Sequence, residues 1–202
     1  MEELILGKAR ELFFSYGLKR ISMDDLARRA GVSKKTIYQV VADKQELVSK
    51  VVRQLVQGHD ECLAHCRRSA KNAVHEAVLQ ARQPFASLAA INCSFFYDLG
   101  KFFPEAWQLV QQHRNDQLEP HIIANLSRGI AEGLYRDSLD VALTAAIRLQ
   151  QLQSVVLPGP FANQPFLLER LTGFYLHGIT NNRGSELIET YLKEENLIKA
   201  KR

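Results

Sequence analysis

Apolar residues recur along most of the chain at the spacing of one face of an α-helix. In the first stretch Ile5, Ala9 and Leu12 share a face, and Gly17 follows where the pattern ends. Similar stretches follow up to about residue 196, without convincing strand alternation or internal repeats. The pattern therefore predicts an all-α protein.

Capping residues divide the first quarter of the chain into short helices. Ser22, with Asp25 three residues later, resembles a capping box and predicts a second helix that Gly31 ends. Ser33 is placed to cap a third helix, and Asp43 to cap a fourth. The fourth helix continues past the first fifty residues.

The rest of the sequence predicts longer amphipathic helices separated by proline and glycine. A junction is expected at Arg136–Asp140, before a helix over Val141–Leu157, and two more helices over Pro165–Thr180 and Gly184–Asn196. The predicted breaks and helix starts fall at Pro84, Pro104, Pro120 and Pro158-Gly159-Pro160. We place a domain boundary inside the fourth helix, giving domains of residues 1–50 and 51–202.

Composition narrows the class of protein. The 202 residues are 46% apolar and 24% charged, as in soluble globular proteins. No run reaches the roughly 18 apolar residues of a membrane span, and the first fourteen residues are charged throughout, so we expect a cytoplasmic protein without a membrane partner. Three cysteines argue against a disulfide framework.

The net charge of +4 is concentrated at one end of the chain. Residues 1–53 hold 11 Lys or Arg and 7 Asp or Glu, whereas residues 54–202 hold 15 of each. A local basic excess attracts a polyanion such as DNA, although an uneven surface is an equally good explanation of charge alone.

Residues 22–44 meet the requirements of a helix-turn-helix. Ala27 is small where two helices cross, Gly31 allows the turn, and Val32 is apolar just after it. Three further apolar residues close the miniature core: Leu26, Ile37 and Val41. The alternative is a helical hairpin with a solvated charged face.

The stretch resembles the DNA-binding domain of the TetR family of bacterial transcriptional regulators. The matching segments are Phe13–Gly17, Ser22–Ala27, Ala30–Ser33, Thr36–Tyr38 and Lys44–Leu47. The resemblance implies an N-terminal three-helix DNA-binding domain and a C-terminal helical domain for ligand binding and dimerisation.

By this resemblance Thr36 and Tyr38 contact phosphates, and Lys44 meets the DNA backbone. Val40 and Val41 depart from the family pattern of an aromatic residue or His followed by Phe, so Val40 makes no polar phosphate contact. The full predicted DNA-binding set is Ser22, Ser33, Lys34, Lys35, Thr36, Tyr38, Gln39 and Lys44.

The resemblance also implies a homodimer whose two recognition helices enter successive major grooves of a palindromic operator, roughly 34 Å apart. Apolar stripes on the last two helices support a four-helix interface, although some of these residues must belong to the intramolecular core. The predicted interface residues are Phe166, Leu167, Leu171, Phe174, Gly178, Leu187, Ile188 and Tyr191, with Ile179 and Leu192 on the same stripes.

Aromatic residues are dense in the middle of the chain. The resemblance implies that the central helices enclose a cavity, and an apolar lining suits a hydrophobic effector that changes the spacing of the DNA-binding domains. Plain core packing is an equally good explanation for each residue. The predicted pocket residues are Phe85, Phe95, Phe96, Phe102, Phe103, Trp107 and Phe161.

His59, Cys62 and Cys66 fall on one predicted helix, with His65 and His75 nearby. Such a group could bind a soft metal or sense oxidants, but incidental buried side chains are the default interpretation. We therefore predict neither a metal nor a cofactor.

The sequence thus predicts a ligand-responsive repressor. The alternative is a DNA-binding adaptor or activator without an effector, which a solid core would favour over a closed cavity of several hundred Å³. Motifs of phosphate loops, zinc proteases and serine hydrolases are missing from the sequence, so we expect no enzymatic activity.

Overall fold

A computed structural model of the chain describes residues 1–157 and 166–199, with side chains up to residue 191. Phe161, the break at residues 158–160 and the side chain of Leu192 lie outside this description. The described residues form α-helices and one π-helical turn, which confirms the all-α prediction. The helices are α1 (Glu2–Tyr16), α2 (Met23–Ala30), α3 (Lys34–Tyr38), α4 (Lys44–Ser69), α5 (Ala73–Arg82), α6 (Pro84–Ala89), α7 (Cys93–Phe102), α8 (Pro104–His113), α9 (Glu119–Ala131), α10 (Val141–Val156), α11 (Leu167–Ile179) and α12 (Asn182–Lys199).

The predicted caps form at the starts of the N-terminal helices. The hydroxyl of Ser22 accepts the backbone N–H of Asp25, whose carboxylate accepts the N–H of Ser22 in return. At the start of α3, the hydroxyl of Ser33 accepts the backbone N–H of Thr36. At the start of α4, the carboxylate of Asp43 accepts the backbone N–H of Glu46. These bonds satisfy helix N–H groups that have no partner within the helix.

The three prolines predicted to start or kink helices all lie in the first turn of a helix. Pro84 and Pro104 open α6 and α8, because the first turn of a helix needs no donor from them. Pro120 is the second residue of α9, and the π-helical turn Arg114–Leu118 joins α8 to α9. The helical course therefore runs without a break from α8 into α9.

Two hydrophobic cores organise the molecule. One is shared by α1–α4 with α6–α8, and the other is formed mainly by α5 and α9–α12. The first core contains residues from both sides of the predicted boundary at residue 50, and α4 continues across that boundary. The division into residues 1–50 and 51–202 therefore stays a prediction.

The end of α1 packs closely on α7. Phe14 and Phe95 meet edge to face with ring centroids 5.0 Å apart, and Asn92 N donates to Phe14 O at 2.8 Å. Gly17, with φ of 84°, lies so near α7 that a Cβ there would come within 2.9 Å of Ser94 Cβ. A side chain at this position would be both strained and obstructed.

Within the described part of the chain, none of the helices combines the length and the apolar character that a membrane span requires.

Candidate DNA-binding domain and effector cavity

The helix-turn-helix forms around the residues that the sequence suggests. Leu26 and Ile37 are fully buried and Val41 nearly so, and they tie α2 and α3 to the rest of the first core. Gly31 ends α2 in the left-handed conformation, with φ of 67°. This turn gives α3 a fixed position relative to α2 and leaves one face of α3 uncovered.

The uncovered face of α3 carries the donors expected of a recognition helix. Lys35 and Gln39 are exposed, and the Tyr38 side chain is 45% exposed. Lys34 Nζ lies 2.9 Å from Asp24 Oδ1 on α2, and the bond to Asp24 raises the pKa of Lys34. Lys34 therefore stays charged while it helps to fix α3 against α2.

Three predicted DNA-contacting hydroxyls have partners inside the protein. Ser22 is held by the capping box of α2, and the hydroxyls of Ser33 and Thr36 lie 2.7 Å apart. Each of these side chains is at least partly exposed, so it can also meet a phosphate.

Lys44 lies differently from the surface position that the resemblance implies. Its half-buried Nζ donates to the carbonyls of Leu18 and Ile21, both at 2.6 Å. Burial lowers the pKa of the ammonium group. Lys44 thus fastens the turn between α1 and α2, and a phosphate contact by this group stays a prediction.

Val40 and Val41 follow α3, where the family pattern has other residues. Val41 is almost completely buried, and half-buried Val40 packs against the first core. The carbonyl of Val40 accepts a hydrogen bond from Lys50 Nζ at 3.0 Å. Both valines therefore serve packing.

A cavity of about 120 Å³ lies between the middle of α4 and helices α6, α8, α10 and α11. Most of its lining is aliphatic, including Leu55, Val56 and Leu152. The polar residues in the lining are His59, Gln111, His113, Arg114 and Gln153. The cavity is smaller than the roughly 300–1,000 Å³ of typical small-molecule sites, so a ligand of ordinary size needs it to expand.

Three predicted pocket residues, Phe85, Phe96 and Trp107, line this cavity. Phe95 and Phe103 lie instead in the core that supports the DNA-binding domain, and half-buried Phe102 packs against the same core. Some of the predicted pocket aromatics therefore line the cavity, and the others pack in the core that supports the DNA-binding domain. The aliphatic part of the lining was not predicted, because only the aromatic residues pointed to a pocket in the sequence.

The structure separates the histidine and cysteine group on α4. His59 lines the cavity and faces His113, while Cys62 and Cys66 lie on the following turns of α4. Burial, followed by the neighbouring Cys62, raises the pKa of the Cys66 thiol to about 11. A thiol held protonated in this way is a poor metal ligand and a slow nucleophile.

The predicted interface residues fall into two groups. Phe166, Phe174 and Gly178 are exposed and Leu167, Leu171 and Leu187 are half-buried. Ile188 and Tyr191 are buried in the second core, where Asn72 Nδ2 donates to the Tyr191 hydroxyl at 2.7 Å. In the subunit, these last two residues act as intramolecular core.

Two exposed apolar residues on α10 were missed. Leu143 is 58% and Ile147 49% exposed, and they lie one helical turn apart on a helix that packs against α11. Their i, i+4 spacing was visible in the sequence, but their exposure depends on how α10 is packed.

Comparisons with known proteins agree with this architecture. Residues 5–51 match the family described as "Bacterial regulatory proteins, tetR family". The chain is 25% identical, over 176 residues, to the uncharacterized HTH-type transcriptional regulator YhgD of Bacillus subtilis (strain 168), an alignment that covers 85% of this chain and 91% of YhgD.

Solved structures share the fold at low sequence identity. A TetR-family transcriptional regulator from Agrobacterium tumefaciens superposes with a TM-score of 0.73 at 20% identity, covering 89% of this chain and 97% of that one. The regulator FadR from Bacillus subtilis, solved in complex with stearoyl-CoA, gives 0.65 at 17% identity, covering 88% and 96%.

The matched segment contains the α1–α3 geometry described above, and the alignment with the HTH-type regulator YhgD extends over 91% of that protein. Residues 5–51 therefore form a helix-turn-helix domain similar to that of the TetR family of bacterial transcriptional regulators, and these similarities support a DNA-binding protein that regulates transcription.

Proposed function

We propose that this chain is a ligand-responsive repressor that binds a palindromic operator as a homodimer and catalyses no reaction. A hydrophobic small molecule that enters the central cavity weakens operator binding. The proposal includes a cytoplasmic location, since bacterial DNA lies there.

One observation supports the link between ligand and DNA more than any other. Helix α4 begins in the DNA-binding domain at Lys44, passes the cavity at Leu55, Val56 and His59, and ends at Ser69. Its 26 residues span about 39 Å as a single helix. A ligand that shifts the middle of α4 therefore shifts the domain attached to its start.

The first core strengthens this link. Phe96 lines the cavity and belongs to the same core as the buried residues of α1–α3. Lys19 N donates to Asp98 Oδ2 at 2.8 Å, so α7 is also bonded to the turn after α1. Expansion of the cavity toward α7 and α8 would be transmitted through packed side chains.

Exposed apolar side chains support dimerisation. Phe166 and Phe174, at the start of α11 and within it, are 71% and 74% exposed, and α11 packs against α10, which carries the exposed Leu143 and Ile147. Large exposed aromatic side chains of this kind typically mark an interface. A two-fold dimer through α11 and its neighbours would cover them and pair two recognition helices.

The cavity favours an effector with a long or flat apolar body. Its lining is mainly apolar, and His113 and Arg114 are two of its five polar residues. FadR, which has the same fold, was solved with stearoyl-CoA, a ligand with a long acyl chain. An elongated apolar ligand needs less cavity width than a compact one of the same volume.

The alternative is a DNA-binding adaptor or activator without an effector. The small volume of the cavity, about 120 Å³, favours this alternative, because a preformed ligand site is usually larger. The two functions share the DNA-binding domain and differ only in whether the central helices open.

Selection of bound DNA from a random pool tests the DNA-binding part. The expected product is a palindrome whose half-sites are centred about one helical turn apart or a multiple of it. A single unpaired half-site would contradict the dimer, and no enrichment would contradict sequence-specific binding.

A thermal-shift screen of fatty acids, acyl thioesters and flat aromatic compounds tests the effector. Hits should release operator DNA in a gel shift, and Leu152→Trp, which fills the cavity, should bind DNA but ignore them. Hits that act equally on Leu152→Trp would place the effector elsewhere, and a screen without hits would favour the adaptor.

A further inference from the structure

The cavity wall contains two histidines whose rings face one another. Nδ1 of His59 on α4 lies 3.1 Å from Nε2 of His113 at the end of α8. The other nitrogen of His113, Nδ1, lies 3.3 Å from Oδ1 of Asp60. One ligand atom from each of the three residues can be chosen so that all three atoms lie within 4.8 Å of one another.

This group has hydrogen-bonding capacity that the protein does not use. His59 is only 6% exposed, and its Nε2 has no hydrogen-bond partner among the described residues. Nδ1 of His113 is also buried without a hydrogen bond in the described part of the chain, despite the nearby carboxylate. Buried nitrogens of this kind are uncommon in folded proteins and often mark the place of an ion or a water.

We propose that His59, His113 and Asp60 bind a divalent transition-metal ion of the Zn²⁺ class at the wall of the cavity. Two imidazoles and one carboxylate form a ligand set that suits such ions and leaves further coordination positions open. Because both histidines line the cavity, a bound molecule with a donor group can complete the coordination from that side.

This ligand set differs from the one that the spacing on α4 suggests. Cys62 and Cys66 do not join any group of potential ligands found among the described residues. The site uses nitrogen and oxygen donors from two helices, and the thiols take no part.

A metal at this position ties α4 to α8. His59 and Asp60 belong to the helix that continues from the DNA-binding domain, and His113 lies where α8 passes into the π-helical turn. An ion held between them restricts movement of α4 against α8. A bound metal therefore makes expansion of the cavity more difficult.

Metal titration of the full-length, chelator-treated protein tests the site directly. Zn²⁺ is added in competition with a chromophoric chelator, and we expect one ion per chain. His59→Ala and His113→Ala should each weaken binding by about 100-fold, and Asp60→Asn by about 10-fold. His65→Ala, an exposed histidine on the same helix, is the matched control and should bind as the wild type does.

Co²⁺ in place of Zn²⁺ identifies the donors. The absorption spectrum should lack the thiolate charge-transfer band and should be unchanged in the Cys62→Ser/Cys66→Ser variant. A charge-transfer band that this variant removes would assign the metal to the cysteines and overturn the proposal.

Absence of stoichiometric Zn²⁺ binding, or wild-type affinity in the His113→Ala and Asp60→Asn variants, would also overturn it. Asp60 is partly exposed, so Asp60→Asn should fold even if a buried histidine variant does not. Zn²⁺ should raise the Tm of the wild type and raise that of Asp60→Asn less. Neither DNA nor an effector enters these measurements, so their outcome is independent of the proposed function.

Discussion

At the scale of single residues, two lysines of the DNA-binding domain carry the same charge in different surroundings. Lys44 Nζ is half-buried and donates to the carbonyls of Leu18 and Ile21. Lys35 is exposed on the open face of α3. A shared residue type therefore serves stability in one place and is available for phosphate contact in the other.

The substitution Lys44→Met should lower the free energy of unfolding by about 1–3 kcal/mol, because two carbonyls lose their donor. Urea unfolding measures this. The matched variant Lys35→Met should stay within about 0.5 kcal/mol of the wild type but weaken operator binding and reduce its salt slope by about one. Wild-type stability in Lys44→Met together with weaker DNA binding would show that Lys44 acts mainly on DNA.

Glu76 is a fully buried carboxylate in the second core. His121 Nε2 lies 3.2 Å from one of its oxygens, and Arg128 Nη1 lies 3.2 Å from the other. Burial alone would raise the pKa of Glu76, but the bonds with His121 and Asn125 and the charge of Arg128 outweigh it and lower the pKa below 4.5. The ionised form is therefore the one that the fold stabilises.

This lowered pKa predicts a pH dependence of stability. The contribution of Glu76 is fully present above the unfolded pKa of 4.5 and is lost as the pH falls through the lower folded pKa. Glu76→Gln should lower the free energy of unfolding at pH 7 by about 3 kcal/mol and flatten its fall in acid. Urea unfolding from pH 7 to pH 3 measures both effects.

Glu61→Gln, at an exposed position of α4, is the control and should leave the pH profile unchanged. A profile of Glu76→Gln as steep as that of the wild type would assign the acid sensitivity to other groups.

At the scale of elements, the helix-turn-helix depends on how its short helices begin. Helix α2 has eight residues and α3 only five, so neither is stable alone. The capping box between Ser22 and Asp25 satisfies donors at the start of α2, and Asp24 and Asp25 suit the positive end of the helix. The cap therefore determines where α2 starts, and the turn at Gly31 determines where α3 lies relative to α2.

Ser22 was also predicted to contact DNA, and substitutions can separate the two roles. Ser22→Ala should lower the free energy of unfolding by about 1 kcal/mol, whereas Ser22→Asn, which keeps a capping acceptor, should change it much less. Thermal unfolding and operator titration are measured together. Equal stability of the two variants would contradict the capping role.

At the scale of the whole molecule, the exposed apolar side chains of α10 and α11 are the surface that we assign to the proposed dimer. Phe174 is 74% exposed and its neighbour in the stripe, Gly178, would accept a Cβ without any contact in the subunit. Among the described residues, no packing contact requires an aromatic side chain at the exposed position 174. We therefore assign it to the proposed dimer.

Phe174→Glu should raise the dimer dissociation constant at least about 30-fold, since it places a charge in an apolar interface. Sedimentation velocity and operator binding should both show the loss, while the far-UV spectrum stays unchanged. Tyr97→Glu, at a half-exposed aromatic residue of α7, is the control and should remain dimeric. A dimeric Phe174→Glu would move the interface away from α11.

The sequence by itself determined the helices, their caps and the DNA-binding motif. These depend on neighbours one to four residues apart, as with Ser22 and Asp25, and on the left-handed turn that Gly31 permits. Periodicity likewise predicted the bounds of α10 and α11 to within a few residues.

Only the tertiary structure decided which apolar and polar side chains meet. Ile188 and Phe174 lie on similar stripes, yet one is buried and the other exposed, because the packing of α12 and α11 on the second core differs. His59 meets His113 across 54 positions of chain, and Lys44 meets Leu18 across 26. Contacts over such separations depend on how whole helices pack, so local patterns in the sequence do not predict them.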